Sequence, residues 1–119
     1  MTTSQFKSLT RAISTNLAQL HKTQAGVMKG FGEMGKAAMA GGALDPKTKE
    51  LIALAVGVAA RCDGCIGFHT KALARLGAST EEVHEALGVA IYMGGGPVAM
   101  YAANAVAAFN EFSAPAKTE

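Results

Sequence analysis

The sequence contains no tryptophan, two tyrosines and five phenylalanines, so aromatics make up only 6% of it. That leaves little from which to build the stacking platform of a protein that holds single-stranded nucleic acid. Charge is scarce as well: 17% of residues are charged, with 11 basic against 9 acidic side chains and a net charge of +2. The signs are interspersed, and the clustered Lys/Arg face of a nucleic-acid binder is missing. No apolar run approaches the ~20 residues needed to span a bilayer. The longest uncharged apolar run is LIALAVGVAA, residues 51–60. The opening MTTSQFKSLTRAISTNL lacks the charged-then-apolar plan of a signal peptide. These absences predict a soluble cytoplasmic protein with neither nucleic acid nor membrane among its partners. Strand-like alternation is also missing, and the three prolines fall at expected helix edges or in the tail.

What is present is apolar and helix-forming. The chain has 119 residues, the size of one domain spanning 1–119, and half of them are hydrophobic. That is rich for a small monomer, which must cover its core with polar surface, and it points to interfaces between copies. The expected fold class is all-α, a single-domain bundle of about six helices. The first covers Gln5 to Leu20, with Phe6, Leu9, Ile13, Leu17 and Leu20 on one stripe. The second runs from Gln24 to Met39, with Val27, Phe31 and Met34 on its apolar side. Its glycines weaken it but permit close helix approach, and Gly41-Gly42 ends it. The third opens with Asp45 as cap and Pro46 in the first turn, then continues through KTKELIALAVGVAAR. Beyond Glu50 it is apolar all round, so it should be buried, in a bundle centre or between subunits. The fourth covers Asp63 to Leu76 and stops at Gly77. The fifth starts at Ser79, in capping-box spacing with Glu82, and turns Val83, Ala86, Leu87, Ala90 and Ile91 inward. Gly94-Gly95-Gly96-Pro97 makes a tight turn into the sixth, which runs to Phe112. The tail SAPAKTE is expected to be loose.

The two cysteines, the only ones in the chain, lie in RCDGCIGFHT, residues 61–70. At about 100° per residue, Cys62, Cys65 and His69 fall within an arc of about 60° on one helix face. Leu73 and Leu76 share that face, so the thiols and the imidazole are expected to point inward at the start of a helix. Thiolates, not thiols, attack peroxides and disulfides, and the positive end of the helix dipole favours the thiolate. His69, four residues after Cys65, can take or relay a proton. A pair at this spacing closes a disulfide locally, stores two electrons reversibly and limits over-oxidation of a sulfenic acid. A closed zinc site would need a fourth ligand, and no second CxxC or HxxxH supplies one. An inert pair of buried thiols is the remaining reading. In a cytosolic chain, where thiols are held reduced, redox chemistry is preferred. Glu50, twelve residues before Cys62, is by spacing alone equally a solvated charge near a helix N-terminus.

The pattern E-x11-C-x2-C-x3-H, as Glu50, Cys62, Cys65 and His69, resembles the motif of the alkyl hydroperoxidase D branch of the carboxymuconolactone decarboxylase family. The surrounding KTKELIALAVGVAARCDGCIGFHTKALARLGASTEEVHEALGVAIYMGGGP resembles the family's core, over residues 45 to 105. The resemblance implies an all-α fold assembled as a homotrimer or hexamer. It implies reduction of hydroperoxides by the cysteine pair, with Glu50, Cys62, Cys65 and His69 as a proton relay. No bound cofactor is implied; the redox-active Cys62–Cys65 disulfide would be recharged by a lipoyl group on a partner, or by another dithiol donor protein. It implies Cys65 as the attacking thiol, whereas the dipole argument favours Cys62, so both orders stand. Gly64 departs from members that carry a histidine between the cysteines, and little sequence precedes the motif. Two other functions compete: a decarboxylase-type lyase acting on a small lactone acid, which needs no thiol pair, and a non-catalytic thiol redox sensor.

Elsewhere the bland readings are preferred. His84 and His21 are expected in solvent, and GGGP lacks the Lys-Ser/Thr of a phosphate loop. Met28, Met34, Met39, Met93 and Met100 are expected to fill the core. Tyr92 and Tyr101 are expected to line a pocket or an interface.

Overall fold

The computed structural model describes residues 5–114. It consists of six α-helices, with no strand among those residues: α1 Gln5–Thr23, α2 Ala25–Met39, α3 Pro46–Ala59, α4 Asp63–Arg75, α5 Thr80–Gly94 and α6 Gly96–Ser113. The expected all-α bundle is therefore the fold, and its boundaries lie close to the sequence signals. Of the tail SAPAKTE, residues 115–119 lie outside the described residues.

Local chemistry accounts for most helix ends. Asp45 Oδ1 accepts from Thr48 N at 2.8 Å, and Pro46 occupies the first turn of α3, where its missing N–H costs nothing. Ser79 Oγ accepts from Glu82 N at 3.0 Å while Glu82 Oε1 accepts from Ser79 N at 2.9 Å, a complete capping box on α5. Gly77 at φ 78° ends α4, with Ala78 N–H on Leu73 O and Gly77 N–H on Ala74 O. The same bond pattern closes α3, but there the left-handed position is Arg61, at φ 59°. A side chain in that region is strained, and it is spent on the corner that delivers Cys62. Helix α1 is capped from a distance: Glu111 of α6 accepts from Lys7 N at 2.6 Å and Phe6 N at 3.3 Å.

Helix α4 is the centre of the packing, against α3 on one side and α6 on the other, with α5 closing over α3 and α6. One continuous core results, from Leu54 and Val58 on α3, Ile66 and Leu73 on α4, Val83 and Leu87 on α5, and Val98 and Phe109 on α6. Each fully buried Leu, Ile or Val removes enough apolar surface for about 1.5–3 kcal/mol. Ala102, Ala105 and Ala108 recur every three residues on α6 and let α4 lie close.

Several expected core positions are instead open. Helix α2 has no buried residue, and Val27, Phe31 and Met34 on its apolar side are 65%, 64% and 61% exposed. Its glycines meet nothing within contact distance of the positions a Cβ would occupy, so they serve no close approach within the protomer. Helix α3 is not enclosed by the bundle: Leu54, Gly57 and Val58 are buried, but Ile52 and Val56 on the opposite side face out. Leu20, Leu76 and Ile91 are exposed at helix ends, and Met34, Met93 and Met100 are surface residues rather than core filler. The physical reason is common to all. Six short helices cover only one stripe of each other, and an apolar residue off that stripe has no neighbour to bury it. His21 and His84 are exposed, as expected. Tyr92 is strongly exposed while Tyr101 packs against the core.

Candidate active site

The α3–α4 corner sets the site. Cys62 is not inside α4 but is its N-cap, in extended conformation, with its Sγ accepting from Cys65 N at 3.1 Å. The sulfur thus takes the place that an Asp or Ser oxygen holds at other helix starts. Cys65 follows within the first turn of α4, and the two are joined in a disulfide with a Cα–Cα distance of 5.2 Å. That separation is ordinary for a disulfide. Cys62 and Cys65 are both half-buried, not deep in the core. Leu73 of the expected inward face is fully buried but Leu76 is not.

One turn beyond Cys65, His69 meets Glu50 of α3: Nδ1 lies 2.6 Å from Oε1. The Glu50 side chain is 17% exposed and that of His69 31%, so the pair is sheltered but reachable. In the tautomer that donates Nδ1–H to Glu50, Nε2 is the nitrogen left to exchange a proton. The structure therefore brings together all four residues singled out in the sequence, Glu50, Cys62, Cys65 and His69, from two helices and the corner between them. Among the described residues no set of three His, Cys, Asp or Glu side chains has metal-holding geometry.

The site opens into a groove of about 530 Å³ lined by Cys65 and His69 at one end. Its walls are almost wholly apolar, made by Ile52, Ala53 and Val56 of α3, Met39 at the end of α2 and Leu44 beyond it. Cys65 lines the groove and Cys62 does not. The two properties wanted in a reactive thiol are thus divided: Cys62 Sγ has the amide and the helix dipole, and Cys65 has the opening and the imidazole.

Two contributors carried no clear sequence signal. Lys49 Nζ donates to Ala38 O at 2.9 Å and Ala40 O at 2.6 Å, and so ties the end of α2 to α3 and holds the groove wall. Gly57 sits where α3 passes Cys65: a Cβ there would lie 2.9 Å from Cys65 Cβ. A glycine inside an otherwise apolar helix was the only hint. Gly64, between the cysteines, lies under Ile13 of α1, where a Cβ would come 2.9 Å from Cδ1, so a side chain there requires Ile13 to turn aside.

The fold and site now stand beside known proteins. The carboxymuconolactone decarboxylase family profile matches residues 25–108. An uncharacterized protein of Cupriavidus necator is 39% identical over 112 residues, which cover 94% of this chain and 99% of that one. The uncharacterized protein 4 in the cox locus of Paracoccus denitrificans is 37% identical over 82% of this chain and 88% of its own length. The apo crystal structure of a carboxymuconolactone decarboxylase family protein from Legionella pneumophila superposes with a TM-score of 0.92 at 52% identity, covering 94% of this chain and all of that one. A Thermotoga maritima crystal structure superposes with a TM-score of 0.78 at 32% identity, over 92% and 93% of the two chains. The motif, the six-helix fold and these matches agree: the chain belongs to the carboxymuconolactone decarboxylase family.

Proposed function

We propose that the protein is a thiol-dependent peroxidase of the alkyl hydroperoxidase D type. The observation that carries this reading is the Cys62–Cys65 disulfide beside a Glu50–His69 pair, with Cys65 and His69 lining an apolar groove. In the reduced protein, His69 takes the Cys65 proton and Glu50 stabilises the imidazolium that forms. The Cys65 thiolate attacks the terminal peroxide oxygen. The O–O bond breaks, Cys65 becomes a sulfenic acid and the alkoxide leaves as alcohol with the proton held by His69. The Cys62 sulfur, stabilised as thiolate by Cys65 N–H and the helix dipole, then attacks the sulfenic sulfur. A disulfide forms and hydroxide leaves as water once protonated. Two electrons pass from the thiols to the peroxide in all, and a dithiol donor returns them by exchange.

The apolar walls suit an alkyl hydroperoxide, and equally the hydrocarbon stem and dithiolane of a lipoyl group carried by a donor protein. A homo-oligomer, trimer or hexamer, belongs to the same proposal. A second copy of the chain is the occupant that would cover the stripe of Val27, Phe31 and Met34 on α2, which nothing within the protomer buries.

The test is stopped-flow oxidation of reduced protein by an organic hydroperoxide, with thiol titration and mass spectrometry on wild type, Cys62→Ser and Cys65→Ser. The expected result is rapid loss of both thiols and two mass units in wild type, with a sulfenic acid trapped in Cys62→Ser only. A sulfenic acid trapped only in Cys65→Ser would reverse the order of attack. Thiols that oxidise no faster than a free thiol would overturn the peroxidase reading and return lactone-acid decarboxylation, the reaction in the family's name, to first place.

A further inference from the structure

A second cleft lies between α1, α4 and α6. It has a volume of about 350 Å³ and is lined by Lys7, Thr10, Arg11 and Ser14 of α1, Phe68 and Lys71 of α4, and Phe112 of α6. On α4 it occupies a different face from the candidate active site. Phe68 and Lys71 face this cleft, whereas Cys65 and His69 face the apolar groove.

Its chemistry is one-sided. Three of the chain's cationic side chains line it and no carboxylate does. Lys7 and Arg11 stand one turn apart on α1, a spacing at which like charges repel, and Lys71 approaches from across the cleft. None of the three forms an ion pair within 4.0 Å among the described residues. Other lysines of the chain are engaged: Lys47 pairs with Glu82 at 2.8 Å, and Lys49 holds two carbonyls. Glu111, next to Phe112, does not line the cleft; its carboxylate accepts from the Lys7 and Phe6 backbone amides and makes no ion pair with the three cations. Among the described residues, then, these cations are gathered without an ion-pair partner. Between them lie the half-buried rings of Phe68 and Phe112. Thr10 contributes no free donor, because its hydroxyl is turned onto Phe6 O at 2.9 Å and Lys7 O at 3.2 Å.

We propose that this cleft binds a small organic anion, with a phosphate or carboxylate head held by Arg11, Lys7 and Lys71 and a flat apolar part laid against Phe68 and Phe112. The planar guanidinium of Arg11 can take two oxygens of such a head at once, and the lysines add point charges. The rings reward a ligand whose remainder is flat and apolar. The volume falls in the range of small-ligand sites. The proposal is independent of the peroxidase reading, since no residue of the cleft takes part in the thiol chemistry.

The experiment is isothermal titration calorimetry of the full chain with phenyl phosphate, alongside inorganic phosphate and benzyl alcohol, repeated with Arg11→Gln and Lys71→Gln. Both substituted side chains are exposed, and unchanged melting curves confirm that the variants fold. Phenyl phosphate is expected to bind more tightly than either fragment, with affinity falling about three- to tenfold in each variant and weakening as salt is raised. Benzyl alcohol binding as tightly would remove the anionic half of the proposal. Inorganic phosphate binding as tightly would remove the apolar half. Absence of phenyl phosphate binding at millimolar concentration, or affinity unchanged in both variants, would overturn it whole.

Discussion

Replacement of Gly57 by alanine tests whether the approach of α3 to Cys65 is as close as the structure has it. An exposed helical glycine gains about 0.5–1 kcal/mol on becoming alanine, because the unfolded chain loses freedom and the helix gains a better former. Gly88 on α5 is such a position, exposed and with nothing within 4 Å of an added Cβ. Gly57→Ala collects the same gain but places its Cβ 2.9 Å from Cys65 Cβ, closer than two such atoms stand in real structures. Neither atom can escape by rotating a side chain, since each is fixed to its backbone. The helices must part by a few tenths of an ångström, at an overpacking cost of about 1–3 kcal/mol. Taking about 2 kcal/mol for that cost, Gly57→Ala should lose about 1 kcal/mol net, while Gly88→Ala should gain a little under that. The comparison of the two variants isolates the steric part. Urea denaturation of both, in the oxidised and reduced forms, reads it directly. If Gly57→Ala proves as stable as Gly88→Ala in both forms, the packing of α3 on the cysteine corner described above is wrong.

Glu50→Gln should slow peroxide oxidation of the thiols by about a hundredfold, the usual reach of a lost acid–base partner, measured by stopped-flow on reduced protein. Ser79→Ala removes one half of the capping box on α5 and should lower unfolding free energy by about 1 kcal/mol in urea titrations. Acid stability should depend on Asp45 and Glu82. The Asp45 carboxyl is held below its ordinary range by its hydrogen bonds from Thr48, and Glu82 by Lys47 and then the Ser79 amide. Both folded values lie below the unfolded ones, near 4, so their contribution is whole above that range and lost as pH falls through the folded values. Melting temperatures of an Asp45→Asn, Glu82→Gln variant should therefore fall less steeply below about pH 4.5 than those of wild type. If the proposed homo-oligomer forms through α2, Phe31→Glu should reduce the mass found by analytical ultracentrifugation while leaving the helical circular dichroism intact; an unchanged mass would refute α2 as the proposed interface.

What the sequence determined by itself is whatever is decided within about one helical turn. Asp45-Pro46, Ser79 with Glu82, Gly77 and the Gly95–Pro97 turn start or stop helices through bonds between residues three to five apart. The cysteines could be paired for the same reason, since three residues of separation allow their sulfurs to meet within one turn. Even there the detail differed: Cys62 caps α4 instead of lying on its face, because the chain turns through Arg61 just before it. Glu50 shows the limit. Its spacing was compatible with a solvated charge, and only the resemblance to a family raised it. The packing of α3 on α4 is what sets it 2.6 Å from His69, nineteen residues away. Tertiary structure likewise decided the groove beside Cys65, the cap that Glu111 gives α1, and the cation cleft shared by three helices. It also decided which apolar residues are core. Periodicity marks the stripe of α2 as clearly as that of α5, yet one is bare and the other buried. A hydrophobic stripe carries no information on which surface will cover it; that follows from the relative placement of whole helices, which no short-range rule supplies.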